Sequence, residues 1–533
     1  MLVVLFVLIN LICLLVNGEL YSALAGMEAL LDTQKVLIHT LDVYIETTER
    51  KLQKIKKLRN DLVHLQNASR GNFQDFVSNP INAFVLIKKL TVDWDDARII
   101  MSCVPMTEVT AGHVIFPDQE DLSGAAKALL RVQQTYSLET EALSEGKILG
   151  APNGLPLSAD DCLEMGRQAF QAGFYDSAIS WLDLAQKKHF QNDSDIRNSS
   201  EIHTYLIMSK HQKETNDFVQ LASNLLQLGF MSVYQSNSPL GGLLQKAASK
   251  NVFVGHTNMF DEATYRQLCQ SSMHTISASY SSSLKCRFLS HHPYLLLQPV
   301  KEEELWIEPK ISLFYDIISD TEINIMKALA LPALKRAEVA EYNAGLGHRV
   351  SDTRVTKIAW LREMDHPLIP RMYRRIEAIT GLSSSSAEPF QMANYGLGGH
   401  FHLHMDVLVL THLKRKNLID CRQPDTETYF GPEMGNRVAT WLTYMSDVNG
   451  GGATVFPRLN ITVWPKKGSA LFWYNVKSNG VGDILTLHGA CPVVTGSKWV
   501  TNVWFHERGQ EFRLKCGIHP ESSLQQMHLF KKS

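Results

Sequence analysis

The pattern of apolar and polar positions changes several times along these 533 residues. The first eighteen, MLVVLFVLINLICLLVNG, are almost wholly apolar and end in small or polar residues. They read as a signal peptide cut near Gly18 and not as an anchor, because the run is short for a span and no basic stop signal follows it. No second stretch of about twenty apolar residues follows, so no membrane span is expected. Over 19–66, Leu30, Leu37, Leu41, Tyr44, Ile55, Leu58, Leu62 and Leu65 fall on a four-three spacing. Gln34, Thr48 and Lys51 fill the remaining seam positions. This predicts a long helix whose seam packs on a second helix, either from another chain or within a local bundle. INAFVLIKKL (81–90) and DLSGAAKALLRVQQTY (121–136) predict further amphipathic helices.

Residues 157–190 predict a helix–turn–helix. Gly166, Ala169, Gly173, Tyr175, Ala178 and Trp181 fit the small and aromatic positions of a tetratricopeptide repeat, a unit that offers a concave face to extended peptides. Helical periodicity continues to about 245 with a poor repeat match, and Tyr205 and Tyr234 lie in it. Residues 250–300 are richer in Ser and His, and Cys269 and Cys286 bracket a polar segment suited to a stapled loop. From about 306, short apolar runs with Gly and Asn punctuation take over: FQMANYG, RVATWLTYM, ATVFP, SALFWYNV and KWVTNVWFH. That spacing predicts a β-sandwich or barrel, with the helices ISDTEINIMKALALPAL and PRMYRRIEAIT ahead of it.

Length implies three or four units, so the fold class is α+β and multidomain. A net charge of -2 gives no electrostatic case for nucleic acid. A secretory start admits disulfides and glycans. Cys103, Cys162, Cys269, Cys286, Cys421, Cys491 and Cys516 remain once the signal is removed, an odd number that leaves at least one unpaired within the chain. Sequons stand at Asn67, Asn192, Asn198 and Asn460, the last in the strand-rich region. The chain ends HLFKKS, without a KDEL-like address.

GGHFHLHMDV (398–407) carries the candidate chemistry. Strict strand alternation puts His400, His402, His404 and Asp406 on one face. A His and a carboxylate two apart, with a distant second His, form a facial triad that leaves metal positions open for a 2-oxo acid and O2. H-x-D alone is a weak signal. LTLHGACPV supplies His488, and KWVTNVWFH puts Lys498, Val500, Asn502, Trp504 and His506 on one strand face. A lysine on an inward face is costly unless it meets an anion, and the distal carboxylate of 2-oxoglutarate suits it.

On the stretches ANYGLGGHFHLHMD, GNRVATWLTYMSDVNGGGATVFP, VWPKKGSALFWYN, HGACPV and KWVTNVWFHERGQEFR, with NPINAFVLIKKL, GAAKALLR and FYDIISDTEI upstream, the chain resembles collagen prolyl 4-hydroxylase alpha subunits. The resemblance implies His404, Asp406 and His488 as iron(II) ligands and Lys498 as the 2-oxoglutarate anchor. It implies His506 in orienting that co-substrate, and Tyr395 and Tyr444 lining its pocket. The implied reaction hydroxylates C4 of proline in X-Pro-Gly sequences of collagen-like chains. It is coupled to oxidative decarboxylation of 2-oxoglutarate by O2 to succinate and CO2, with ascorbate restoring oxidised iron.

A double-stranded β-helix (jelly roll) catalytic domain is implied, and disulfides Cys269–Cys286 and Cys491–Cys516. Also implied is an α2β2 assembly with protein disulfide isomerase, which would supply retention in the endoplasmic reticulum lumen. The expected organisation is a signal (1–18), a helical dimerisation region (19–145) and a tetratricopeptide-like peptide-binding domain (146–245). A linker with a candidate disulfide (246–305), a catalytic domain (306–520) and a tail (521–533) complete it.

The sequence departs from the family in places. Phe401, His402 and Leu403 stand where the family reads Tyr-Glu-Pro, and His400 and His402 are expected to point to solvent. The segment after Asp406, with Cys421, is unlike the family's and reads as a mobile lid. Only Tyr175, Tyr205 and Tyr234 supply tyrosines to the peptide region. A catalytically weak escort subunit for proline-rich secreted chains is the alternative reading.

Overall fold

The computed structural model describes residues 24–71, 73–101, 118–148, 154–191, 196–227, 259–271, 283–341, 347–350, 352–407, 434–514 and 517. The expected signal, the lid segment, Asn192, Cys103, Cys421 and Cys516 lie outside them. The chain divides into two units, Met1–Arg70 with Lys89–Phe116, and Gly71–Lys88 with Pro117–Ser533.

In the first unit, helix α1 (Leu24–Ala68) runs for 45 residues. Its seam is only partly covered: Leu58 and Leu65 are buried, while Leu41 and Tyr44 are 59% and 69% exposed.

In the second unit, α2 (Pro80–Lys88) follows a single short turn of helix at Phe73–Ser78. In the first unit, α3 (Trp94–Met101) follows. Back in the second unit, α4 (Gln119–Tyr136) starts on an Asp118–Asp121 capping box. The predicted hairpin forms as α5 (Ala159–Gln171) and α6 (Tyr175–Gln191). It is tight because Gly166 has no side chain: a Cβ there would lie 2.5 Å from Leu182 Cγ. Buried Lys88 pairs with Asp161 at 3.1 Å and ties α2 to α5. A longer helix, α7 (Ile196–Gln227), packs on α6. Helix α8 (Met259–Gln270) then crosses onto strands of the smaller sheet.

The strands in chain order are β1 Cys286–Leu289, β2 Val300–Trp306, β3 Ile311–Tyr315, β4 Lys335–Arg336, β5 Glu338–Glu341, β6 Gly347–Val350, β7 Arg354–Val355, β8 Lys357–Leu361 and β9 Phe390–Tyr395. They continue as β10 His400–His404, β11 Arg437–Tyr444, β12 Gly450–Gly451, β13 Thr454–Phe456, β14 Ile461–Val463, β15 Ala470–Tyr474, β16 His488–Ala490, β17 Val493–Thr495 and β18 Lys498–His506. The larger sheet has the order β1-β2-β3-β15-β11-β18-β9-β8-β4, and a second has β14-β13-β16-β10-β7. The sheet therefore begins at Cys286, ahead of the expected boundary at 306, because β1 and β2 pair in register with each other and β2 with β3.

The two sheets bury their facing side chains together. Tyr444, Leu471, Trp473 and Val500 of one meet Phe456, Ile461, Val463 and Ala490 of the other. Helices α9 (Asp320–Ala330) and α10 (Leu368–Thr380) cover the far face of the larger sheet. There Met326, Met372 and Ile376 pack on Phe390, Trp441 and Phe472.

The disulfide departs from both expected pairings. Cys269 on α8 bonds Cys491, just after β16, with the Cα atoms 5.7 Å apart. Cys286 is free and exposed at the start of β1. The expected Cys269–Cys286 loop is not closed because α8 lies along the second sheet, with Tyr265 donating to Ala490 O at 3.3 Å and Arg458 paired with Asp261 at 2.8 Å. With Cys491 taken, the expected Cys491–Cys516 pair is excluded as well.

Candidate active site

The site lies where β10 and β16 of the smaller sheet face β11 and β18 of the larger. β10 does not alternate strictly. Its pairing with β16 shifts between Phe401 and His404, a β-bulge that flips the side-chain order. Phe401 and His404 therefore enter one cleft, with their rings stacked 3.5 Å apart, and His402 leaves it. This corrects the shared face expected for His400, His402, His404 and Asp406. Nor do the two extra imidazoles point to solvent. His400 is 5% exposed, and burial lowers its pKa to about 2. His402 pairs with Glu262 of α8 at 3.0 Å.

Tyr395, His404, Asp406, His488, Lys498 and Trp504 are among the walls of the cleft. Nε2 of His404 lies 3.7 Å from one Asp406 carboxylate oxygen, and Nε2 of His488 lies 3.6 Å from the other. The three donor atoms fall within 4.8 Å of one another, the one such cluster among the described residues. Each imidazole is held by its other nitrogen. His404 Nδ1 donates to His402 O at 2.7 Å, and His488 Nδ1 to Thr486 O at 2.9 Å. That fixes the tautomer and leaves both Nε2 lone pairs free for a metal.

Thr440 Oγ1 donates to Asp406 at 2.7 Å and accepts from Asn475 Nδ2 at 2.9 Å. Burial and the neighbouring His488 lower His404 to about 3, so it stays neutral. Burial alone would raise Asp406, but His488 and His404 bring it to about 2, so it stays ionised. A neutral His404 and an ionised Asp406 are the forms in which those two side chains bind a metal. The donor set therefore fits a divalent transition metal bound by two His and one carboxylate.

Lys498 opens β18, 1% exposed. Its ammonium lies 5.4 Å from the Tyr395 ring and 5.8 Å from the Tyr444 ring, and it has no carboxylate partner among the described residues. Burial alone lowers its pKa to about 7. A cation so placed fits the carboxylate of a small acid. Tyr395 lines the cleft. Tyr444 is fully buried behind it, with its hydroxyl spent on Thr454 at 2.9 Å.

His506 is not at the wall. The last residue of β18 that lines the cleft is Trp504. Both His506 nitrogens are engaged, one with Gly435 O at 2.8 Å and one with Glu388 at 3.0 Å. Glu388 also takes Arg437, whose guanidinium lies 4.0 Å over the Trp504 ring. His506 therefore connects to the cleft wall through Glu388, Arg437 and Trp504.

Thr440, Arg354 and Trp473 escaped the sequence reading. Arg354 stacks on Phe401 at 4.6 Å and donates to Gln391 at 2.5 Å. The alternation of RVATWLTYM would have pointed Thr440 inward; Arg354 carries no sequence signal of its own.

Residues 390–506 match the family model of the 2OG-Fe(II) oxygenase superfamily, and residues 23–150 that of the prolyl 4-hydroxylase alpha-subunit, N-terminal region. Prolyl 4-hydroxylase subunit alpha-1 of Homo sapiens is 36% identical over 529 residues, which span 95% of this chain and 96% of that one. Subunit alpha-2 of Caenorhabditis elegans is 35% identical over 536 residues, spanning 96% of each. Among solved structures, the viral collagen prolyl hydroxylase of Paramecium Bursaria Chlorella virus-1 in its 2OG complex is 21% identical, with a TM-score of 0.27 over 36% of this chain and 94% of that one. With relatives of that identity along nearly its whole length, the chain belongs to the prolyl 4-hydroxylase alpha-subunit family, and its C-terminal domain is a 2-oxoglutarate- and iron(II)-dependent oxygenase.

Proposed function

We propose that this chain is a procollagen-proline 4-dioxygenase, hydroxylating C4 of proline in X-Pro-Gly sequences while 2-oxoglutarate is decarboxylated to succinate and CO2. The observation that carries it is the three-donor cluster of His404, Asp406 and His488 beside a buried lysine with no carboxylate partner among the described residues. His404, Asp406 and His488 hold iron(II), which supplies the oxidising chemistry when bound. Lys498 holds the distal carboxylate of 2-oxoglutarate, and Tyr395 bounds the same end of the cleft. Thr440 fixes the carboxylate plane of Asp406. Trp504, braced by Arg437, walls the opposite side, and His506 orients it through Glu388. Fe(II), 2-oxoglutarate and O2 are the cofactor and co-substrates, and ascorbate keeps the iron reduced.

The facing sheets form the double-stranded β-helix, or jelly roll. The hairpin α5–α6 is a tetratricopeptide-type unit. Phe170 of α5 and Tyr175 of α6 cluster with Tyr205 of α7, ring centroids 5.7 and 5.6 Å apart, an aromatic surface for polyproline segments. The exposed seam of α1 suits a second alpha subunit, and protein disulfide isomerase completes an α2β2 assembly in the endoplasmic reticulum lumen. Asn67 and Asn460 are exposed and open to glycosylation.

The test is succinate release by the chain co-expressed with protein disulfide isomerase, with and without proline-rich peptides. Peptide-dependent turnover that is lost in His404→Ala and Asp406→Ala is expected. Full activity in either variant would overturn the metal assignment, and absence of peptide-dependent turnover with iron bound would overturn the reaction.

A further inference from the structure

Helix α4 lies between the helical hairpin and the metal-bearing sheet, and it touches both at close range. Toward the sheets, Arg131 donates to Gly398 O at 2.8 Å, and Tyr136 at the helix end donates to Pro492 O at 2.7 Å. Toward the hairpin, Gln133 accepts from the Trp181 indole of α6 at 2.9 Å, and Gln134 donates to Ser177 at 3.2 Å.

The two backbone carbonyls are not ordinary surface points. Gly398 belongs to the turn joining β9 to β10, two residues before β10 begins and six before His404. Pro492 follows Cys491 and stands four residues after His488. The two segments are laced together, since Gly398 N donates to Val493 O at 2.9 Å and Val493 N to Gly399 O at 3.0 Å. The helix approaches so closely that side chains are excluded. A Cβ on Gly398 would lie 2.6 Å from Ala128 O, and one on Gly451 would lie 2.6 Å from the Tyr136 hydroxyl. Both glycines have positive φ, +57° and +74°, which reserves the positions for glycine. Arg131 gives its half-buried guanidinium to this carbonyl, although desolvation lowers its pKa to about 10. A charged donor on a backbone carbonyl makes a stronger bond than a neutral one.

We propose that Arg131 and Tyr136 are positioning residues for the hydroxylation: they fix the flanks of the two strands that carry His404 and His488, and Gln133 on the same helix holds the α5–α6 hairpin in one placement against them. This rests on the dioxygenase reading above. The peptide-bearing hairpin and the iron site then share a single rigid bracket, so a peptide held by the first presents its prolines to the second in a set register.

The experiment uses the full chain co-expressed with protein disulfide isomerase, as wild type, Arg131→Ala, Arg131→Lys and Tyr136→Phe. Amide hydrogen exchange is followed without iron, and kcat and KM are measured with iron and a proline-rich peptide. Arg131→Ala and Tyr136→Phe are expected to speed exchange about tenfold in 396–404 and 488–494 while leaving 40–66 unchanged. They are expected to lower kcat about tenfold, with KM for 2-oxoglutarate and peptide within twofold. Arg131→Lys, which keeps one donor, should recover most of both effects. Wild-type exchange and kcat in folded Arg131→Ala and Tyr136→Phe protein would overturn the proposal. So would faster exchange spread evenly along the chain, which marks a general loss of stability. If Arg131→Ala fails to fold, Tyr136→Phe, which removes one hydroxyl, decides by the same criteria. A wild type without peptide-dependent turnover, but with the local exchange difference intact, would overturn the dioxygenase reading and leave the bracket standing.

Discussion

Thr440 donates its hydroxyl hydrogen to Asp406 across 2.7 Å, from a strand of one sheet to the segment after a strand of the other. Because the hydroxyl takes a lone pair on the carboxylate oxygen nearer His488, it sets the plane in which Asp406 faces both imidazoles. Thr440→Val keeps the shape and removes the bond. Partners that orient metal ligands typically change metal affinity about 10- to 100-fold when removed. Iron titration of the variant should show a weaker dissociation constant in that range, with the KM for peptide little changed.

Lys498 should tie co-substrate binding to pH. Its folded pKa is lowered to about 7, against about 10.4 for a free lysine. Between those values the unfolded chain binds more protons than the folded one, so stability of the ligand-free protein rises with pH through that window. Below about 7 both states are charged, and the benefit is absent. A bound carboxylate favours the ammonium, so 2-oxoglutarate should bind with proton uptake near pH 8 and weaken as pH rises further. Calorimetry in buffers of different ionisation enthalpy reads the proton count directly. Lys498→Met, which fills the space without charge, should raise the KM for 2-oxoglutarate roughly 10- to 100-fold, the loss of a charged hydrogen bond of about 1.5–3 kcal/mol. The peptide KM should stay within a few-fold.

Cys269 and Cys491 should be found together in a disulfide-linked peptide after proteolysis without reductant, and Cys286 should alkylate in the native protein. Cys269→Ser or Cys491→Ser should cost about 2–5 kcal/mol in denaturant unfolding. A linked Cys269–Cys286 peptide from active protein would contradict the pairing.

Gly166→Ala should loosen the α5–α6 hairpin. The new methyl meets Leu182, whose side chain is fully buried and has nowhere to move. Overpacking of this kind typically costs about 1–3 kcal/mol, visible as a lower unfolding midpoint. Affinity for long proline-rich peptides should fall while turnover of short ones persists.

Much of this site was readable in the chain. The order His404, Asp406, His488, Lys498 survives folding because each residue sits on or beside a strand whose apolar neighbours point into one core. The hairpin was readable because Gly166 and Trp181 meet a packing demand that few residues satisfy. The face of β10 was not, since a one-residue bulge inverts the alternation without a marker in the sequence. Nor was the fate of His506, whose partner Glu388 lies 118 residues away, or that of Cys269, whose partner lies 222 away. Spacing speaks for neighbours along an element and says little about which distant segment will be brought alongside.

That last separation has a consequence for how the protein is made. At roughly 5–20 residues per second of synthesis, Cys491 emerges some 10–45 seconds after Cys269. Throughout that wait Cys286, only 17 residues on, is the nearer thiol. The nascent chain therefore passes through a period in which the short, wrong ring is the easy one to close. Its yield will depend on an oxidoreductase able to reopen that ring before β16 arrives.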